Sequence, residues 1–226
     1  MRDHAVKGAN GIKLFAGSYQ GGGRVANWPL PIAKVAVEKA HRHHMTVFAH
    51  PQNVDRVNVA IDSGVDVLAH TVPQSPPWTP EFVDRLKRAN LALIPTLTLF
   101  DAEARKENSP GQEREAWIAG MVAELRAYSQ AGGNILFGTD IGYIDHYDTA
   151  MELSLMSQAG VSYQQILASL TTAPAKKFGH SDRSGRIAIG MDADRVVLDA
   201  DPAQDVTAFS KMHYTIRNGK LIYQER

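Results

Sequence analysis

"VFAHPQNVDRVNVAIDSGVDVLAHTVP", residues 47–73, holds two apolar runs that each end in a histidine, His50 and His70, one helix length apart. Between them Asn53 is placed to cap the helix "VDRVNVAIDS", and Gly64 to end it. A strand, a helix of this length and a second strand imply parallel pairing, because only a crossover helix returns the chain to the same sheet edge.

The same alternation extends in both directions. "GIKLFAG" reads as a brief strand, followed by a glycine-bearing loop, "SYQGGGRVANW". A helix beginning at Pro31 carries Ile32, Val35, Ala36 and Ala40 on one face, and leads into the strand "MTVFAH". After "VDVLAH", Thr79 and Pro80 open a further helix, with Glu81 in its first turn, before the strand "LALIPTL". Residues 98–111 are polar and loosely patterned and predict an irregular crossover or lid. A long helix over 112–131 follows, then a fifth strand, "NILFGTD", and two or three helices through Gly179. From there the character changes. "GRIAIG", "DRVVLDA", "HYTIRNG" and "KLIYQ" read as short strands, with a hairpin turn at Asn218-Gly219.

Composition narrows the function classes. The chain has 226 residues, 44% hydrophobic and 21% charged, with zero net charge. No electrostatic footprint argues for nucleic acid or an anionic membrane, and no apolar run approaches the roughly 20 residues of a spanning helix. The start, "MRDHAVKGAN", lacks a signal peptide's apolar core. With no cysteine, disulfides and thiolate ligands are out, and the expected compartment is the cytoplasm. Any metal would be held by histidine, carboxylate or modified lysine, which suits zinc, manganese or related ions.

Active sites of parallel α/β folds lie at the carboxyl ends of the strands. Four of the five strands carry a cation-binding residue there: Lys13, His50, His70 and Asp140. One strand-end histidine is usually structural. Two at equivalent positions, with a buried aspartate and lysine that are costly unless compensated, point instead to a shared cation. Tyr19, Tyr143 and Trp78 are candidates to line a substrate pocket; for Tyr19 and Trp78 a surface or packing role explains the residue equally well. Asp145 and His146 follow Asp140 closely enough to reach substrate or to cap the next helix. Arg105, Lys106 and Glu107 read as a solvated run, and "HRHH" at 41–44 as a solvated, basic helix end. Gly21–Gly23 form no phosphate loop, and no G-x-S-x-G elbow is present.

"GIKLFAG", "VFAHPQN", "VLAHTVP" and "ILFGTDIGY" occur in the order and spacing of the metal-dependent amidohydrolase superfamily. The tail "TTAPAKKFG", "GRIAIGMDADRVVLDADP" and "YTIRNGKLIY" resembles imidazolonepropionase-like and prolidase-like members. The resemblance implies an α/β fold: a partial (β/α)8 TIM barrel, strands four to eight with their helices, over residues 1–180. A small β-sandwich remnant would occupy 181–226. It implies that Lys13 is the lysine that can be carboxylated, that His50 and His70 are metal ligands, and that Asp140 binds metal and moves a proton from the attacking water. His70 would also polarise the carbonyl. The implied cofactor is a divalent metal, zinc by preference, as one ion or two, and the implied partner a small-molecule substrate with an amide-type bond.

The family's first-strand HxH pair has no counterpart here. His41-Arg42-His43 matches by spacing but sits at a helix end, and "MRDHAVKGA" resembles the last turns of the helix before the fourth strand. Five strands leave two open edges, so the chain is expected to form a homo-oligomer, to cover those edges otherwise, or to be a fragment. Two other functions compete: a non-catalytic interaction module, and an ester or lactone hydrolase using the same centre.

Overall fold

The computed structural model describes residues 7–15, 17–20, 24–72, 75–145 and 147–225, with backbone alone for 17–20 and 24–27. Among these, β1 (Gly11–Phe15), β4 (Thr46–His50), β5 (Val67–Ala69), β6 (Ala92–Ile94) and β7 (Asn134–Ile135) form one sheet in that spatial order. Every pairing in it is parallel. The crossovers are α1 (Leu30–His41), α2 (Val54–Ser63), α3 (Pro80–Arg88) and the pair α4 (Leu97–Lys106) and α5 (Gly111–Gln130). Then come α6 (Ala150–Gln158), α7 (Tyr163–Leu170) and α8 (Thr172–Lys177). The architecture is α/β, a partial TIM barrel of five parallel strands.

Local chemistry explains the boundaries. Asn53 accepts the Arg56 N–H at 3.1 Å, and Gly64 leaves α2 at φ 82°, a left-handed position that a side chain would strain. Thr79 accepts the Phe82 N–H at 3.3 Å, with Pro80 as the first residue of α3. Buried strands need apolar residues on both faces, and this sheet has them. Val47, Ala49, Leu68 and Leu93 join the main core with Val57, Leu86, Met121 and Leu125 from the helices. Val67, Ala92 and Leu136 form a second cluster on the opposite face with Phe48, Ile94, Ala173 and Phe178. Tyr128 locks α5 to the start of β6 by donating to the Leu91 carbonyl. Asp66, just before β5, accepts both the Val47 N–H and His41 Nε2.

A second sheet, ordered β10-β9-β8, comprises β8 (Arg195–Leu198), β9 (Met212–Arg217) and β10 (Lys220–Gln224), all antiparallel. Its hairpin turns at Asn218 and Gly219, both at positive φ. The 3-10 turn Val206–Ser210 ties this region to the barrel, with Ala208 buried and Val206 and Phe209 packed on the main core.

Four expectations change. The glycine loop is an antiparallel hairpin, β2 (Gly17–Gln20) with β3 (Arg24–Asn27), because β-formers such as Tyr19 and Val25 flank the glycines and face each other. The crossover read as irregular contains α4. Leu97, Leu99, Phe100 and Ala104 of α4 are buried, and Asp101 is paired by Arg105 and Arg114, so only its C-terminal turn is polar. "NILFGTD" contributes just two paired residues, since Gly138 and the turn at Asp140 take the chain out of the ladder. "GRIAIG" is no strand: Ile187 and Ile189 are exposed, and no strand among the described residues pairs with them. The "HRHH" end is a solvated helix end as expected, with His41, Arg42 and His44 exposed and His41 paired with Asp66 at 2.9 Å. Gly21–Gly23, His146 and residues 1–6 lie outside the described residues.

Candidate metal centre

Parallel register carries four side chains to one sheet edge. Phe15 pairs with His50, so Lys13 lies two residues earlier on the same face. His70 follows β5 directly, its N–H donating to the Ile94 carbonyl at 2.8 Å. Asp140 arrives five residues after β7. Lys13 Nζ lies 3.4 Å from His70 Nε2 and 3.5 Å from Asp140 Oδ1, and the His50 and His70 rings meet edge-on at 4.7 Å between centroids. The structure therefore brings Lys13, His50, His70 and Asp140 together.

Both histidines are held neutral. Burial pushes His70 down to about 2, helped by His50 and Lys13. Burial, then Lys13, lowers His50 against the opposing pull of Asp140. A neutral imidazole offers the lone pair a metal needs. His50 Nδ1 is buried with no hydrogen-bond partner among the described residues, an orphan that a ligand would satisfy. Lys13 Nζ meanwhile sits as a cationic head between His70 Nε2 and Asp140 Oδ1. The donors present are the His70 Nε2 lone pair, which Lys13 Nζ now faces, a carboxylate and an orphaned imidazole nitrogen, and they fit a divalent ion. Lys13 itself would have to lose its ammonium character to ligate.

Backbone conformation marks the same place. His70 (φ 88°), Thr96 (φ 49°) and Asp140 (φ 60°) are non-glycine residues in the left-handed region at the ends of three neighbouring strands. Such conformations persist where the surroundings impose them, and they cluster at functional sites.

The three pocket candidates fall differently. Trp78 is buried, against Phe82 at 5.5 Å and Tyr128 at 6.4 Å, where packing accounts for it. Tyr143 is 58% exposed with Lys106 Nζ 4.5 Å above its ring, and its hydrogen bond to Glu103 raises its phenol above the usual range; it stands at the rim, three residues after Asp140. The side chain of Tyr19 lies outside the described residues.

Three residues near the centre were missed in the sequence. Thr96 Oγ1 lies 2.7 Å from His70 Nδ1. Glu152 accepts the N–H groups of Leu97 and Thr98, at 2.9 and 2.7 Å, and the Thr98 hydroxyl at 2.8 Å. Glu124 accepts the Val72 N–H at 2.8 Å, two residues past His70. Both carboxyls are raised by burial, Glu152 to about 7 and Glu124 to about 8. "IPTL" after a strand was the available signal for Thr96; nothing local marks the glutamates, which act across more than 50 residues.

Among the described residues, Asp199, His213 and Glu225 also bring three ligand atoms within 4.8 Å of one another. That group lies on the second sheet and satisfies itself, with His213 Nδ1 3.0 Å from Asp199 Oδ1 and Asp199 hydrogen-bonded to Glu225.

The chain is similar over 200 residues to ochratoxinase of Aspergillus niger, at 26% identity, covering 83% of this chain and 40% of that protein. Among solved structures it superposes on a Xaa-Pro dipeptidase with bound methionine at a TM-score of 0.85 and 22% identity, covering 99% of this chain and 57% of that one. A putative prolidase from Bifidobacterium longum gives 0.82 at 24% identity, covering 100% and 60%. The chain thus spans about 40% of the curated relative's length and somewhat over half of the solved ones. The model of the amidohydrolase family matches residues 32–222, running from α1 through β4, β5, β6 and β7 into the second sheet, and by that match the chain belongs to the amidohydrolase family.

Proposed function

We propose that this chain carries the catalytic face of a metal-dependent hydrolase that cleaves an amide-type C–N bond of a small substrate, with zinc as the preferred ion. The observation that supports it most is Lys13 Nζ within 3.5 Å of both His70 Nε2 and Asp140 Oδ1. His50, His70 and Asp140 would hold the ion, together with Lys13 once carboxylated, since a carbamate is anionic and can bridge. A bound divalent ion supplies a water whose pKa is drawn toward neutrality.

The chain's own residues do the rest. Asp140, its backbone fixed by the Tyr143 N–H at 3.1 Å, takes the proton of the attacking water on a carboxylate oxygen and passes it to the leaving nitrogen. His70 presents the Nε2 lone pair toward the same space as a ligand, a nitrogen that then has no proton to offer the scissile carbonyl, and buried neighbours such as Phe100, edge-on to its ring at 6.3 Å, exclude bulk water. Tyr143 at the rim contacts the substrate. Ochratoxinase and the Xaa-Pro dipeptidase are relatives of this kind, which supports C–N hydrolysis over ester or lactone cleavage. Cytoplasmic residence belongs to the same reading, motivated by the absence of cysteine. No helix among the described residues is long and apolar enough to cross a membrane.

The test is hydrolysis of a panel of N-acyl amino acids and X-Pro dipeptides by zinc-loaded chain, with matched ester controls. Turnover abolished by chelation and lowered at least about 100-fold in Asp140→Ala supports the reading, since base catalysis contributes about that much. A chelator-resistant activity, or none with any amide, overturns it in favour of a non-catalytic module.

A further inference from the structure

Thr96 is the N-cap residue of α4, yet its side chain makes no cap hydrogen bond. Threonine normally caps by accepting from the first-turn N–H groups. Here the hydroxyl points elsewhere: Oγ1 lies 2.8 Å from the Pro95 carbonyl and 2.7 Å from His70 Nδ1. The Thr96 hydroxyl donates to the Pro95 carbonyl and so accepts from His70 Nδ1–H, and Lys13 Nζ, which can only donate, faces His70 Nε2 at 3.4 Å, as the same tautomer requires. That assignment leaves the lone pair on Nε2, the nitrogen facing Lys13 and Asp140.

The unmet helix terminus is served from a distance. Glu152, fully buried on α6, accepts the Leu97 and Thr98 N–H groups and the Thr98 hydroxyl. A carboxylate there also suits the positive end of the α4 dipole. The two residues it grips follow Thr96 directly, which accounts for a buried β-branched residue held at φ 49°, a conformation that persists only where its surroundings impose it.

We propose that Thr96 is a positioning residue that fixes His70 as its Nδ1–H tautomer with Nε2 aimed into the metal centre, and that Glu152 caps α4 in its place so that the Thr96 hydroxyl is free to do so. The inference rests on the metal reading above for its purpose, but the tautomer can be observed without metal.

The experiment uses the full chain. Long-range 15N–1H correlation spectra report the His70 tautomer in metal-free protein, and competition with a chromophoric chelator gives affinity for zinc alone. Wild type and Thr96→Ser should show Nδ1–H and agree in affinity within about 3-fold. Thr96→Val, nearly isosteric but without a hydroxyl, should lose the single tautomer and bind zinc about 10–100-fold more weakly, the usual effect of removing a ligand's orienting partner. Tyr128→Phe, which removes a buried hydrogen bond at the other end of β6, should change neither readout. An Nε2–H His70 in the wild type overturns the proposal outright, even if Thr96→Val does not fold. So does a folded Thr96→Val with wild-type tautomer and affinity. Wild-type protein that shows Nδ1–H, loses it in Thr96→Val and binds no zinc supports the positioning role while rejecting the metal reading.

Discussion

Gly138 stands two residues before Asp140, where β7 has ended and the chain crosses close over β6. A Cβ built there would lie 2.6 Å from Ile94 Cγ2, about 1 Å inside the 3.5–4.0 Å carbon–carbon optimum. Ile94 cannot swing aside freely. It pairs with Ala69 in the ladder, its carbonyl accepts the His70 N–H, and its branched side chain packs on Val67, Ala92 and Leu136. An off-rotamer shift costs about 0.5–1.5 kcal/mol, and overpacking with backbone displacement about 1–3 kcal/mol. Gly138→Ala should therefore destabilise by about 1–3 kcal/mol. Ile94→Ala removes the opposing Cγ2 at the expense of a small cavity. The double variant should then be at least about 1 kcal/mol more stable than the sum of the single effects predicts, the signature of direct contact. Urea denaturation followed by circular dichroism, with the slopes held common, measures all four proteins. A Gly138→Ala midpoint equal to wild type, or strict additivity in the cycle, would refute the close-approach reasoning.

Two further outcomes follow from the buried carboxyls and the open edges. Glu124 is raised from 4.5 to about 8, so between those values the folded state holds a proton that the unfolded state has released. Its contribution is fully present below about pH 4.5 and is lost as pH rises through about 8, and Glu152 acts in the same sense up to about 7. Glu124→Gln should flatten the fall in thermal stability from pH 5 to 8, by an amount on the order of a few kcal/mol; parallel pH profiles would contradict this. For the edges, β1 and β7 have no partner on their outer sides among the described residues, and an apolar groove of about 490 Å³ on α1 is lined by Trp28, Pro31, Ile32, Val35, Ala36 and Lys39. If a second copy of the chain covers that side, light scattering should give a dimer or larger for wild type and a lower mass for Val35→Glu. A compact wild-type monomer would count against self-association.

Much of the fold was legible because short-range chemistry specified it. Asn53, Gly64, Thr79 and the Asn218-Gly219 turn each act within four residues, and each does what its residue type dictates. The four candidate ligands were legible because the parallel register puts strand ends side by side. What escaped notice depends on distance. Glu152 reads as one acidic residue in a helix, and only the packing of α6 against α4 brings it to Leu97 and Thr98. Leu97 read as the end of a strand, and Leu99 and Phe100 as part of an irregular crossover, because charged residues at 105–107 masked the helical period. "GRIAIG" carries strand residues with no pairing partner among the described residues, so its local preference went unanswered.

The central claim is that side chains from separate strands share one divalent ion, and anomalous scattering at the zinc edge, from crystals grown with zinc, tests it most directly. A peak within bonding distance of His50, His70 and Asp140, with density extending from Lys13 Nζ, is the predicted result. Zinc found solely among Asp199, His213 and Glu225, or absent from the mouth of the barrel, would contradict it.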